Sequence, residues 1–242
     1  MNFCNKDLKK VTKLDIKNYL DKHIDKGNSG STINVNLNAI KFVMEEILNK
    51  KLMLKFKYSK TPKSIPIFLA KEEVKKLFEA TKNEKHKLIL ELIYSAGLRV
   101  SEVVNLKLCD LDFSRNMGWV RHGKGNKDRP FIIASLLKPR FFDFVSKNCD
   151  NQNSFIFSGR NGKLSVRSVQ EIVKTSAKKA NILKDIHPHS LRHSFATHLI
   201  EDGCDISSVQ PLLGHNSAET TLMYVHAKNP SMLKVKSPYD SL

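Results

Sequence analysis

The 242-residue chain has one tryptophan, four cysteines and only 24 Asp and Glu to set against 41 Lys and Arg. Cys4, Cys109, Cys149 and Cys204 are scattered without CxxC spacing. They frame neither a disulfide scaffold nor a zinc ribbon, and a reducing cytoplasm fits them best. No apolar run approaches the roughly 20 residues that span a bilayer. The opening MNFCNKDLKK turns polar at once, unlike a secretory leader. Internal repeats and low-complexity tracts are missing, and so is a GxxxxGK[ST] nucleotide loop. The shortage of acid leaves a formal net charge of +17. Such an excess points to a polyanionic partner, because each phosphate neutralised by a cation releases condensed counterions. Apolar residues make up 40% of the chain, enough to fill the cores of a folded protein.

Hydrophobic periodicity divides the chain. Thr12 as a cap with Asp15 three residues on, followed by Ile16, Tyr19, Leu20 and Ile24, predicts an amphipathic helix ended by Gly27. Ile33, Leu37, Ile40, Val43, Met44 and Ile47 predict a second. Residues 59–67, SKTPKSIPI, hold two prolines and no helical period, and form the expected linker. Residues 1–60 carry 13 Lys or Arg against 6 Asp or Glu, so this first part is the more basic per residue. Beyond the linker, helices are expected near 71–81, 84–95, 135–147, 166–180, 190–201, 205–213 and 217–226. Strands at Trp119–Arg121 and Phe131–Ile133 flank the turn Gly123-Lys124-Gly125-Asn126-Lys127, whose glycines permit positive φ. The fold class is mainly α with a small antiparallel β-sheet, in two domains.

Taken singly, the polar motifs have ordinary readings. Arg99 in AGLRVSE can pair with Glu102 on the next turn, and Lys124 in GKGNKDR can be a solvated turn lysine. His189 and Arg192 in HPHSLRH stand i and i+3 on a helix and can pair or cap. A lone tyrosine such as Tyr224 is usually core or rim. His189 and His193 have the i, i+4 spacing of helical zinc ligands, but Ser190 stands where a zinc protease needs its Glu. No metal site is expected, and His193 and His198 read as packed or surface histidines.

The order of the motifs changes their weight. AGLRVSE, GKGNKDR, HPHSLRHSFATH, LLGH and a tyrosine nine residues after that last histidine follow one another. In this arrangement the chain resembles the tyrosine recombinase and phage integrase family, most closely its Xer-like and phage or archaeal integrase branches, over roughly residues 65–228. The resemblance implies a helical core-binding (SAM-like) domain over 1–58, a linker over 59–67 and a catalytic domain for DNA breaking and rejoining over 68–228. The segment 229–242 would be a tail, either docked on a neighbouring subunit or else folded back on its own domain or disordered. About 60 residues precede the linker, fewer than the family's usual four-helix first domain.

By the same resemblance, Arg99 and Arg192 match the arginines that clamp the scissile phosphate, and Lys124 the hairpin lysine. His189 and His215 match the two histidines, and Tyr224 the nucleophile that forms a 3′-phosphotyrosyl ester. It implies sequential strand exchange through a Holliday junction by a homo-tetramer on two duplexes with specific recombination sites, with neither metal nor ATP nor other cofactor. The setting would be the cytoplasm, on nucleoid DNA, with accessory factors unspecified.

The chemistry independently calls for these residue types. A phosphodiester under attack gathers negative charge on its non-bridging oxygens, and planar guanidiniums hold such oxygens with bidentate, permanently charged hydrogen bonds. A tyrosine with a pKa of about 10 is ionised only about once in a thousand at neutral pH, so it needs a base. His189 suits that role; His215 can donate to a phosphate oxygen, and Lys124 can protonate the leaving 5′-oxygen. Two rivals share much of this reading: a type IB topoisomerase, which relaxes supercoils without paired sites, and a non-catalytic DNA-binding regulator on the same fold. All six positions being filled argues against the second.

Overall fold

The computed structural model describes residues 7–50, 58–59, 66–121, 128–159, 162–214 and 238–242. The chain forms two compact units, Met1–Ser64 and Ile65–Leu242. In the first, α1 (Lys13–Asp25) starts as the sequence dictates. The Asp15 amide donates to Thr12 Oγ1 at 3.3 Å while the Thr12 amide donates to Asp15 Oδ2 at 2.9 Å, so two amides that lack helical partners are satisfied reciprocally. Ser29 caps α2 (Gly30–Phe42), which runs into a π-helical turn over Val43–Ile47. Ile16, Leu20, Ile33, Leu37, Ile40 and Met44 form the small core.

Ile24 and Ile47, expected on these stripes, are exposed. Ile24 stands eight residues beyond Ile16, where a 3.6-residue period has drifted off the buried face, and the wider π turn rotates Ile47 away from it. Ser59, the first residue of the expected linker, is clasped to α2: its amide donates to Asn34 Oδ1 at 2.9 Å, and Asn34 Nδ2 donates to its carbonyl at 3.0 Å. Residues 60–65 of that stretch lie outside the described residues.

The second unit is organised around α4 (Glu84–Ala96), in which every residue from Leu88 to Ala96 is buried. A helix apolar on all sides needs neighbours on all sides. These include α3 (Lys71–Ala80), α5 (Val100–Asn105), α7 (Val166–Lys179) and α8 (Pro188–Glu201). A three-stranded antiparallel sheet orders β1 (Leu111–Asp112), β2 (Met117–Val120) and β3 (Arg129–Ile132), with Gly118 opposite Phe131 and Val120 opposite Arg129. After α6 (Lys138–Asn148), a short hairpin pairs β4 (Ser158–Gly159) with β5 (Gly162–Lys163), and α9 (Ile206–Leu213) follows α8.

The strands lie up to two residues N-terminal to their expected places, because the Gly118 backbone passes under the Phe131 ring and extends the ladder to Met117. A Cβ at residue 118 would sit 2.2 Å from that ring. The expected helix at 217–226 and the turn 122–127 fall outside the described residues.

The last residues described, Pro238–Ser241 in a 3₁₀ turn and Leu242, pack on this same unit. Tyr239 lies against Phe78 at 5.7 Å, and its hydroxyl donates to Glu91 Oε1 at 2.6 Å. Glu91 is a fully buried carboxylate that Arg140 also contacts. Burial raises its pKa, and the hydrogen bond from Tyr239 only partly offsets this.

Gly97 ends α4 with φ of 60°, a left-handed turn. A Cβ there would lie 2.5 Å from Phe195 Cδ1 and 3.1 Å from Leu213 Cδ2. Backbone strain and overpacking act together at this position, so Gly97→Ala is expected to cost about 2–4 kcal/mol. The measurement is a urea titration, in which the midpoint falls at unchanged slope.

Candidate DNA-cleavage site

The left-handed turn at Gly97 sends the chain from α4 into Leu98, buried, and Arg99, which stands at the N-cap position of α5. Three residues on, Glu102 turns back over its own helix start and accepts from the Arg99 amide at 2.7 Å through Oε2. The same carboxylate takes the Arg99 guanidinium at 2.8 Å through Oε1 and Arg129 Nη2 at 2.6 Å through Oε2. Arg192 Nη1 lies 3.9 Å from it.

Arg192 comes from α8. His187 opens that helix by accepting from the Ser190 amide at 3.3 Å, and Pro188 occupies its first turn, where no amide partner is needed. The Arg192 side chain is turned into the core and donates to the carbonyls of Gly97 and Leu213. Arg99 Nη2 donates to the Gly214 carbonyl at 3.1 Å. Gly214 closes α9 with φ of 60°, so the ends of α4 and α9 both present carbonyl oxygens to guanidiniums.

Three guanidiniums therefore meet around one buried carboxylate. Burial acts to raise the Glu102 pKa, but the charge of Arg129, the Arg99 amide and the charge of Arg192 outweigh it and hold the group below the ordinary carboxylate range. The arginines stay fixed in orientation and the cluster stays net positive, which suits it to receive phosphate oxygens.

His189, one turn before Arg192 on α8, is exposed, while Arg192 is buried. Neighbouring protein displaces enough water around His189, and Arg192, His187 and Arg99 add enough positive charge, to hold its pKa below the usual imidazole value. It is therefore neutral and able to accept a proton near pH 7. Of the six residues read from the sequence, Arg99, His189 and Arg192 thus come to one side of the α4, α8 and α9 junction. Lys124, His215 and Tyr224 lie outside the described residues.

Glu102 and Arg129 were not among those six. Sequence reading takes Glu102 for a surface partner of Arg99, and the pair does form, yet its carboxylate is buried and shared. Arg129 had a legible signal: it alternates with Phe131 and Ile133, which places a charged residue on the inward face of a strand. His198 is buried beside Tyr94, whose hydroxyl lies 2.9 Å from its Nδ1, and serves packing. Among the described residues no group of three or more His, Cys, Asp or Glu is disposed to hold a metal ion. Likewise no described helix is long and apolar enough to cross a membrane.

Away from the arginines, an open cleft of about 990 Å³ lies between the α3–α4 turn, the β4–β5 hairpin and α7. Lys82, Lys85, Lys163, Arg167 and Lys179 line it against Glu171.

The model of the phage integrase family matches residues 67–230. Tyrosine recombinase XerC of Bacillus pumilus (strain SAFR-032) is 36% identical over 243 residues, covering 93% of this chain and 79% of that protein. The crystal structure of XerA recombinase superposes with a TM-score of 0.63 at 30% identity, over 94% of this chain and 83% of that one. The fold is also that of the XerH site-specific recombinase bound to its difH substrate, with a TM-score of 0.71 at 23% identity over 91% of this chain and 68% of that one. The chain belongs to the phage integrase family of tyrosine recombinases and is Xer-like in sequence.

His193, half-buried on α8, supplies a pH test. Burial first, then His189, Arg192 and His187, hold its pKa down to about 4. The folded state then binds fewer protons than the unfolded one, so this contribution to stability is complete above pH 6.5 and is lost as pH falls through about 4. After allowance for partial solvent contact the loss is about 2 kcal/mol. Urea midpoints measured from pH 7 to pH 4 should show that slope, and His193→Gln should flatten it.

Proposed function

We propose that this tyrosine recombinase cuts and rejoins DNA at specific sites through an ester between Tyr224 and a DNA 3′-phosphate. The observation that carries the proposal is the pairing of half-buried Arg99 with buried Arg192, oriented by Glu102 and by the carbonyl ends of two helices. In this reading the two guanidiniums hold the non-bridging oxygens, whose charge grows as the phosphorus becomes five-coordinate. The Tyr224 oxygen bonds to phosphorus as its proton passes to His189, and the bond from phosphorus to the 5′-oxygen breaks as Lys124 protonates that oxygen. His215 donates to a phosphate oxygen. Ligation is the reverse, with a 5′-hydroxyl attacking the ester, so the energy of the cleaved bond is retained and neither ATP nor metal is required.

The partner is double-stranded DNA carrying paired recombination sites. The XerH site-specific recombinase was solved bound to its difH substrate, and the net positive charge of this chain supports DNA as the partner. Residues 1–58 form the core-binding part, 68–228 the catalytic part and 229–242 a tail. Four protomers act on two duplexes through a Holliday junction, in the cytoplasm and on the nucleoid, in chromosome or plasmid dimer resolution or in movement of a mobile element.

Incubation with nicked duplexes from the source replicon, in EDTA and without ATP, should yield protein joined to a 3′-phosphate. Tyr224→Phe should yield none, and Arg192→Lys should lower adduct formation by about 100-fold. An adduct with Tyr224→Phe, or adducts only when metal is added, would overturn the mechanism. Relaxation of supercoils without a paired site would assign the topoisomerase reading.

A further inference from the structure

Arg129 has no part in the chemistry described above, yet it is buried among the groups that do. It opens β3, five residues after Lys124 in the sequence, and its side chain is 9% exposed. Phe131 and Ile133, which share its face of the strand, are apolar and buried, so a core residue there would be the simple choice. A guanidinium at this place carries a desolvation cost, which lowers its pKa. Its hydrogen bonds have definite destinations. Nη2 donates to Glu102 Oε2 at 2.6 Å, and Nη1 donates to the carbonyl of Leu212, in the last turn of α9, at 2.6 Å. Its Cδ and Nε pass so close to Gly214 that a Cβ there would fall 2.7 and 3.0 Å from them.

We infer that Arg129 is a positioning residue for the Lys124 turn: it locks the strand leaving that turn onto the Glu102 carboxylate and the end of α9, and so fixes the reach of the lysine toward the arginine pair. One side chain thereby joins three stretches of chain, the start of β3, the Arg99 region and the end of α9. The inference rests on the proposed role of Lys124 as general acid. Lysine at 129 would keep the charge but cannot direct two planar donors to two acceptors, so Arg129→Lys is expected to fail as a replacement.

The test is a double-mutant cycle on full-length protein, with cleavage of nicked recombination-site duplexes as the rate and thermal melting as the fold control. Arg129→Met, close in volume, leaves Glu102 and the Leu212 carbonyl each one donor short, so it is expected to melt below wild type but to be folded at the assay temperature, and to cleave roughly 10- to 100-fold more slowly, as removal of a group supporting a reactive side chain does. Added to Lys124→Ala, it should slow cleavage by less than about threefold further, since a missing lysine cannot be misplaced. Multiplication of the two single losses would overturn the inference, as would full activity of Arg129→Met. If Arg129→Met is not folded at the assay temperature, Arg129→Lys takes its place in the cycle under the same criteria. A duplex with sulfur as the bridging 5′-atom, whose departure needs no proton, judges the underlying reading separately. Rescue of Lys124→Ala supports the general-acid role, and rescue of Arg129→Met alongside it is a result that mere loss of packing would not give.

Discussion

The geometry of this site depends on one carboxylate. Glu102 is buried, and an isolated buried carboxylate would be expelled or protonated; here it receives Arg99 and Arg129 directly and has Arg192 within ion-pair range. The dependence is mutual. Each guanidinium would carry its own burial cost without the carboxylate, and the carboxylate would lose its charge without the guanidiniums. A cluster bound in this way has few alternative arrangements. Its rigidity is of the kind that lets a charged site stabilise a transition state without reorganising first.

The fold exists in large part to bring the pieces of that cluster together. Arg192 reaches the Gly97 carbonyl across 95 residues of chain, and Arg99 reaches Gly214 across 115. The meeting point is the junction where α4, α8 and α9 end or cross, and the two left-handed glycines turn the backbone sharply enough to present bare carbonyls there. The start of the second unit is drawn into the same arrangement, since the Leu69 amide donates to Ser194 Oγ at 2.9 Å on the helix that carries Arg192.

Local physics was largely legible in the sequence. The capping box at Thr12, the glycine end of α4, the helices flanking Arg99 and Arg192 and the existence of a hairpin all follow from residues within a turn or two of each other. What was not legible is burial. An Arg and a Glu three apart look the same whether they face water or a core, and only α8 and α9, about a hundred residues later, decide the matter for Arg99 and Glu102. Arg129 was overlooked because its motif was read for its lysine and not for the period-two pattern of the strand that follows. The two-residue strands β1, β4 and β5 are too short to show any alternation, and their pairing is set by packing. The positions of Lys124, His215 and Tyr224 rest on motif order alone.

Placing guanidiniums against a carboxylate and the carbonyl ends of α4 and α9 also shapes the electric field of the protein at a distance. Helix C-termini carry partial negative charge, so much of the arginines' charge is balanced locally. Little of it extends past the roughly 8 Å screening length of physiological salt. The long-range pull on a polyanion comes instead from exposed cations, such as Lys82, Arg167 and Lys179 in the α7 cleft, where basic residues outnumber Glu171. Under the proposed function, attraction and grip fall to different residues: the lysine-rich surface would gather nucleic acid of any sequence, while the arginines around Glu102 would respond only to a phosphate already in contact with them.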